Sequence, residues 1–401
     1  MNFVQMYLKY TCLYESPNSF WKWSAYCTIA AILRDNCYKK QGPGATYPNI
    51  YVLFLADSAV HRKGNPVRLC EKLVKAISNT KVISGRSSIQ AILDELARGE
   101  TDSKTGKVLA GGSALFSARE LAAGIVGDDE AVGILTDIYD YQEEYTSRLR
   151  GTGIFRIKNL CLSMCAASNE AMLVNLYTQQ AVQGGLLGRT FLIKPNEFRK
   201  GNSLFDEEDD TEPLKGLTDR LRDIARLAGE FKFTDAARIE YDTWYYPFRD
   251  SQKDKPDKSG VAGRLHIGVL KIAMILAANE TCSLVIDKRH IEEAILECMG
   301  LIPNYNSFIM SSGKSPDSAC GSIILNHLYE SVDHKCSRKE ILFKHLTSFT
   351  IEQFDMVIDK LRQAEMISEG MEGSGIEYRM TKKCLDTLFS GEIAKKAKGT
   401  L

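Results

Sequence analysis

One lysine, Lys63, sits in a short polar loop between an apolar, β-prone run and a run with helical spacing. The stretch reads Tyr47-Pro48-Asn49-Ile50-Tyr51-Val52-Leu53-Phe54-Leu55-Ala56-Asp57-Ser58-Ala59-Val60-His61-Arg62-Lys63-Gly64-Asn65, and a helical run from Leu69 to Ile77 follows. Strand, lysine loop, then helix is the layout of a phosphate cradle. Such a cradle needs backbone N–H groups converging on oxygens, a lysine for the β- and γ-phosphates, and a hydroxyl for magnesium. Against the pattern G-x-x-x-x-G-K-[ST], Asp57 and Arg62 stand at the two glycine positions and Gly64 at the hydroxyl position. Ser58, Arg62, Lys63, Gly64 and Asn65 are the loop residues placed to touch a nucleotide. The bare motif is also compatible with a solvated lysine. Its place at the first strand-to-helix junction, the crevice end of an α/β sheet, favours the cradle.

Phosphoryl transfer also needs acids and sensing groups at neighbouring strand ends. The run Ala114-Leu115-Phe116-Ser117-Ala118 ends in Arg119-Glu120. Glu120 is placed to orient a water or reach a metal; it reads equally as a glutamate stabilised at a helix N-terminus. Ser168 and Asn169 end another apolar run, as sensors of the γ-phosphate or as helix caps. Gly184-Gly185-Leu186-Leu187-Gly188-Arg189 puts Arg189 after a flexible loop, and Arg264 opens a long apolar helical run. Each is a candidate phosphate sensor or the partner of a carboxylate. The six histidines form no H-E-x-x-H pattern. His327, His334, Cys336 and His345 fall close together, but their spacing fits no standard zinc site, so no metal is expected there. No nucleophile elbow is present.

The elements that must hold these residues alternate. Residues 1–45 read as helical, closed by Gln41-Gly42-Pro43-Gly44. Strands are expected at Ile50–Ala56, Ser113–Ala118, Gly153–Ile157 (an edge), Leu160–Ala167 and Arg189–Ile193. Helices are expected at Leu69–Ile77, Ser87–Arg98, Arg119–Val126 and Glu130–Tyr141, with a polar hairpin or loop over 99–112. This alternation predicts a largely parallel sheet covered by helices. The five consecutive acids at 206–210 mark a solvated linker. Helices are expected beyond it at Leu214–Leu227, Asp235–Phe248, Gly263–Ala278 and Lys288–Met299. After a polar break at 311–316, three helices (Ala319–Glu330, Ser337–Leu346, Thr350–Ala364) and a glycine-tipped hairpin form a winged helix-turn-helix pattern. Its recognition helix carries Glu352, Asp355 and Asp359 beside Lys360 and Arg362, which is poor equipment for reading a major groove. Lys335, Arg338, Lys339, Lys344, Arg379, Lys382 and Lys383 are available for phosphate contacts; a protein-interaction role is the alternative.

Lys plus Arg and Asp plus Glu are both 51, so any nucleic-acid site must be a local patch. Eleven cysteines without a CxxC pair read as reduced, buried thiols. Apolar runs such as Ile267–Ala278 are too short to span a bilayer, and the N-terminus carries no signal-peptide pattern. A cytoplasmic location, in a cell or an infected bacterial host, is expected.

Taken together, these residues resemble a family of phage- and plasmid-borne P-loop ATPases. The family is helicase-like, often fused or adjacent to primases, and akin in layout to minichromosome-maintenance helicases. The resemblance runs through Glu15-Ser16-Pro17-Asn18-Ser19-Phe20-Trp21-Lys22-Trp23, Tyr47–Val52 with the lysine loop, Ser84-Gly85-Arg86-Ser87-Ser88-Ile89-Gln90 and Arg119-Glu120. It continues through Gly185-Leu186-Leu187-Gly188-Arg189, Arg264 with Val269-Leu270-Lys271-Ile272-Ala273, and the terminal hairpin segment. It implies an α/β fold with an AAA+-like P-loop core (46–205), a helical lid (206–310) and a winged-helix domain (316–390). An N-terminal helical segment (1–45) and a basic tail (391–401) flank these. It implies ATP and Mg2+ as ligands, DNA as partner, no membrane, and a ring, a hexamer by family habit, with primase or other replication proteins nearby. Lys63 would bind phosphates and Glu120 would be the catalytic acid. Ser168 or Asn169 would be the first sensor, Arg189 would act in trans, and Arg264 would be the second sensor or a trans-acting arginine. Asn65 and Arg119 depart from the family pattern at the magnesium side. Three readings follow: an ATP-dependent replicative helicase or translocase, a non-hydrolysing initiator, loader or adaptor, and a regulator using the winged helix.

Overall fold

The computed structural model describes residues 1–57, 60–77, 80–85, 87–98, 100–101, 108–109, 112–121, 129–149, 153–169, 185–195, 197–199, 201, 211–253, 260–312, 316–346, 348–372 and 375–388. Ser58, the acidic run 206–210 and the basic tail 391–401 lie outside these residues. The chain forms two compact units, Met1–Ser312 and Gly313–Leu401.

In the first unit, α1 (Phe3–Tyr10) and α2 (Asn18–Leu33) lead into a hairpin of β1 (Cys37–Gln41) and β2 (Gly44–Thr46). The expected all-helical stretch to residue 45 therefore ends at Leu33. The Tyr-Lys-Lys-Gln run is polar and half exposed, and carried no strand signal. α2 is apolar on every side and almost wholly buried, as a helix packed on all faces must be. Phe20 meets Phe54 at 5.0 Å between ring centroids and Trp23 meets Phe191 at 4.8 Å, so α2 lies against the sheet.

The sheet is built from β3 (Tyr51–Leu55), β4 (Lys81–Ser84), β7 (Ser113–Ala118), β9 (Gly153–Ser168) and β10 (Thr190–Ile193). Its order is β10-β3-β9-β7-β4, and every neighbouring pair is parallel. All residues of β3, β7 and β10 are buried, the signature of strands covered on both faces. The intervening helices are α3 (Gly64–Lys75), α4 (Ile89–Ala97) and α5 (Asp129–Asp137); β5 (Glu100–Thr101) and β6 (Val108–Leu109) pair as a small antiparallel ribbon.

Two expected strands, Gly153–Ile157 and Leu160–Ala167, are one. β9 runs through both, joining the parallel sheet with its second half. Its first half pairs antiparallel with β8 (Gln142–Leu149), an element without a sequence signal because its residues are mostly polar. Arg119–Leu121 make a turn, not the expected helix; 122–128 lie outside the described residues.

Beyond the sheet come α6 (Thr211–Ala225), β11 (Gly229–Glu230), β12 (Lys232–Phe233), α7 (Asp235–Gln252), α8 (Val261–Thr281), β13 (Val285–Ile286), α9 (Lys288–Met299) and α10 (Ile302–Ser312). By length and composition α8 is long and apolar enough to cross a membrane, against the expectation from its shorter apolar run. Its most apolar 18-residue stretch is 72% buried, with Val269–Asn279 all inside, as in a core helix.

The second unit contains α11 (Pro316–Glu330), β14 (Lys335–Ser337), α12 (Arg338–Lys344), α13 (Ile351–Gln363), β15 (Ile367–Glu372), β16 (Gly375–Met380) and α14 (Lys382–Leu388). The sheet order is β14-β16-β15, antiparallel throughout. Ser337 caps α12 by accepting from the Glu340 N–H (3.2 Å), and Thr350 caps α13 by accepting from the Gln353 N–H (3.2 Å). Ile324, Leu328, Ile341, Phe354, Ile358, Ile367 and Tyr378 fill this unit's own core.

Candidate nucleotide-binding site

The parallel sheet has two ends, and the candidate residues divide between them. At the carboxyl end, β3, β7 and β9 finish side by side: Leu55 pairs with Ser168, and Ala118 with Ala166. The Ala56 N–H reaches the Ser168 carbonyl (3.4 Å), and the Leu121 N–H reaches the Ala167 carbonyl (2.9 Å). The second bond ties the Arg119–Glu120 turn to the end of β9.

Lys63 stands at the N-cap of α3 with 6% of its surface exposed. Its Nζ lies 4.0 Å from Glu120 Oε1, and that carboxylate is half exposed. A buried ammonium beside a helix N-terminus, with a carboxylate held only loosely, suits an incoming anion. Arg62 has φ +46°, the left-handed conformation that a cradle glycine supplies without strain. Its carbonyl accepts from Ser16 Oγ (3.1 Å) and from the Asn65 N–H (2.9 Å). Its guanidinium Nε donates to Glu15 Oε2 (2.7 Å), so the side chain is engaged at the N-terminal segment. A Cβ on Gly64 would lie 3.7 Å from Arg119 Cδ, so the Arg119 stem covers the start of α3. Asn65 is exposed. Ser168 is fully buried, its Oγ donating to the Asn169 carbonyl at 3.4 Å. Lys63, Gly64, Asn65, Glu120, Ser168 and Asn169 thus share one sheet end.

Arg189 and Arg264 do not join them. Arg189 enters β10 at its amino end, where Arg189 Nη2 meets Asp140 Oδ2 at 3.1 Å and Nη1 donates to the Gly185 carbonyl at 3.2 Å. Arg264 approaches the same carboxylate at 4.0 Å. The two guanidiniums share one acid; burial, then the nearby Arg189, pull the Arg264 pKa down. Arg189 Nε is buried without a hydrogen-bond partner among the described residues. Below them lies Lys271, buried, donating from Nζ to Asn49 O and Oδ1 (both 2.8 Å) and sitting 4.1 Å from the Tyr139 ring centroid. Burial pushes its pKa down to about 8. Gly188 is required here: a Cβ would come within 2.4 Å of the Gly260 carbonyl oxygen, where the arginine loop crosses the start of α8.

Sequence reasoning named the strand-end residues but missed Asp140, Lys271 and Asn49. One signal was available: Lys271 is a lone charge inside an apolar helical run, which marks a buried and therefore satisfied cation. The Glu15–Ser16 clamp on the lysine loop spans more than forty residues and left no local trace.

In the second unit the basic residues are largely paired. Arg338 bridges Asp355, Lys360 bridges Asp317 (2.5 Å), Arg362 bridges Glu369 (2.9 Å) and Lys335 bridges Glu377 (2.9 Å).

No protein-family model matches the chain, and no curated protein matches it. Among solved structures, a full-length MCM homologue from Methanopyrus kandleri is similar at 14% identity and a TM-score of 0.43, over 75% of this chain. The match spans 58% of that protein's length, and the likeness is too slight to carry a function.

Proposed function

We propose that this chain is an ATP-dependent DNA helicase or translocase acting in replication of a phage or other mobile element, as a ring in which each nucleotide lies between two copies. One observation carries the reading: a five-stranded parallel sheet with a buried lysine, an acid and a buried hydroxyl at its carboxyl end, and two arginines at its amino end. β3 alone is five residues long, which separates the two ends by about 16 Å at ~3.3 Å per residue. Within one copy the arginines are remote from Lys63. In a head-to-tail ring each copy presents its arginine end to the next copy's lysine end.

On this reading Lys63 and the N–H groups opening α3 hold the triphosphate, and Glu120 orients the attacking water. Ser168 or Asn169 senses the γ-phosphate, and Arg189 and Arg264 of the neighbouring copy neutralise charge that develops in the transition state. Bound ATP with Mg2+ supplies the transferable phosphoryl group and its charge shielding. Magnesium keeps most of its waters, so one or two oxygen donors suffice, and the exposed Asn65 amide and Glu120 carboxylate are available. On this reading the segment 206–310 serves as the lid and 316–390 as a winged helix. The ion-paired basic residues of α13 suit backbone or protein contacts better than base reading.

A second reading is favoured by Arg119, which lies over Gly64 where a standard site carries an acid before Glu120. There the chain is a non-hydrolysing initiator, loader or adaptor. Nucleotide titration with and without magnesium, followed by turnover of Lys63→Ala, decides. Tight magnesium-dependent binding with turnover lost in Lys63→Ala supports the ATPase; turnover unchanged in that variant overturns it.

A further inference from the structure

We propose that the C-terminal unit holds a divalent zinc-class cation on His327, Cys336 and Glu340. Their ligand atoms all lie within 4.8 Å of one another. His327 Nε2 is 3.4 Å from Cys336 Sγ. A tetrahedral zinc with Zn–N near 2.05 Å and Zn–S near 2.3 Å spaces its nitrogen and sulfur ligands about 3.5 Å apart. The pair is therefore already at the edge length of a coordination tetrahedron.

The fold builds this approach. α11 ends at Glu330, and the chain turns back through Asp333 and His334, both left-handed at φ 53°. Two consecutive non-glycine residues in that region form an uncommon turn, and it delivers Cys336 on β14 beneath His327 on α11. His334 points elsewhere, with Nδ1 at 2.9 Å from the Tyr329 carbonyl. Ser337, the last residue of β14, caps α12 and sets Glu340 in its first turn, four positions after Cys336. His327 and Cys336 are each 5% exposed while Glu340 is exposed, so the set is fixed on its inner side and open to solvent on its outer side.

The ring of His327 is also oriented from behind. His345 Nε2 lies 3.2 Å from His327 Nδ1. A histidine that ligates through Nε2 donates its Nδ1–H to such a partner, which fixes its tautomer and raises its basicity. Neutral imidazole, thiolate and carboxylate together carry two negative charges, which balance a divalent cation at a half-buried place, with water at the fourth position. Spacing alone gave no zinc pattern because the third residue of the set is Glu340, whereas the residues that fall close together in the sequence beside His327 and Cys336 are His334 and His345.

The test is metal binding by the full chain. Chelator-stripped protein is titrated with Co2+ and then with Zn2+. The expected result is one equivalent per chain, with a thiolate-to-cobalt charge-transfer band that zinc displaces. Cys336→Ser removes the band. Glu340→Gln, at an exposed position that leaves the core intact, weakens binding at least about tenfold, and His345→Ala weakens it about 10- to 100-fold. Cys70→Ser, in the separate buried thiol cluster of Cys27, Cys70 and Cys165, leaves the band unchanged. Absence of the band in the wild-type chain, its persistence in Cys336→Ser, or unchanged affinity in Glu340→Gln overturns the assignment.

Discussion

The division of charged residues between the two sheet ends makes a demanding prediction about mixed assemblies. Lys63→Ala and Arg189→Ala should each abolish ATP turnover in a pure preparation. Removing the arginine is expected to lower kcat by about 10³- to 10⁵-fold, the range for an arginine acting in trans on a transferring phosphoryl group. The lesions lie at opposite ends of the parallel sheet, whose strand β3 alone spans about 16 Å, so in the proposed ring a site between two copies draws Lys63 from one copy and Arg189 from the other. In an equal random mixture, a site is intact when its lysine comes from an Arg189→Ala copy and its arginine from a Lys63→Ala copy. That occurs at about one site in four, so the mixture should recover roughly a quarter of wild-type turnover if the sites act independently of one another. Steady-state ATPase assays over a series of mixing ratios measure this, with recovery greatest at equal parts. An Arg189→Ala preparation as active as wild type would refute the reasoning, because the arginine would then serve only to bind Asp140. No recovery at any ratio, with subunit exchange shown by mass photometry, would refute independent sites shared between copies.

Two further substitutions probe the same architecture. Arg62→Gly removes an L-residue from the left-handed region, a relief of about 1–2 kcal/mol; it also loses an exposed ion pair with Glu15 worth at most about 1 kcal/mol and a side chain that restricts the unfolded backbone. The variant should melt within a few degrees of wild type and bind ATP more tightly, and a loss above roughly 2 kcal/mol in denaturant unfolding would contradict the assigned backbone. Lys271 has a folded pKa of about 8, below the ordinary value of about 10.4. Its native state therefore releases the proton first. Between those two pH values the unfolded chain holds more protons, and wild-type stability should rise with pH relative to Lys271→Met, by up to roughly 3 kcal/mol. Below pH 8 the two stability curves should run parallel; a wild-type advantage that shrinks with rising pH would be the wrong sign.

The sequence spelled out the elements whose burial leaves a periodic mark. β3, β7 and β10 are covered on both faces and read as continuous apolar runs, and α8 and α9 carry long helical patterns. What escaped was half exposed. β4 (Lys-Val-Ile-Ser) sits at the sheet edge, β8 is mostly polar, and the β1–β2 hairpin is polar outward. Glu120, Ser168 and Lys63 were legible as candidates because each stands at or after the end of an apolar strand. Glu15 and Ser16, which hold Arg62, and Asp140, which pairs with Arg189, come from segments brought in by tertiary packing, which no local pattern encodes. Glu340 escaped for a related reason: its approach to His327 depends on a left-handed turn at Asp333 and His334 that carries no glycine to announce it.

On the proposed reading, the lysine loop shows why counting motif residues misjudges a divergent site. A cradle glycine serves through its φ angle and its lack of a side chain, and these requirements are separable. At Arg62 the first is met without glycine: the backbone is left-handed at φ +46°, held by Ser16 on the carbonyl and by Glu15 on the guanidinium. The side chain that glycine would omit is drawn toward the N-terminal segment and away from Lys63. The strain of the left-handed arginine is thus offset by contacts from residues far earlier in the chain, and on the proposed reading the start of α3 keeps the geometry an anion needs. The same logic marks where the site departs from a standard one. Arg119 lies over Gly64 beside Lys63 and adds positive charge where an acid would have drawn in a metal. If the loop holds a nucleotide as proposed, such an arrangement favours the phosphate tail itself over the magnesium that accompanies it. Magnesium dependence, more than nucleotide affinity, is therefore the property that separates a working ATPase from a nucleotide-holding assembly factor.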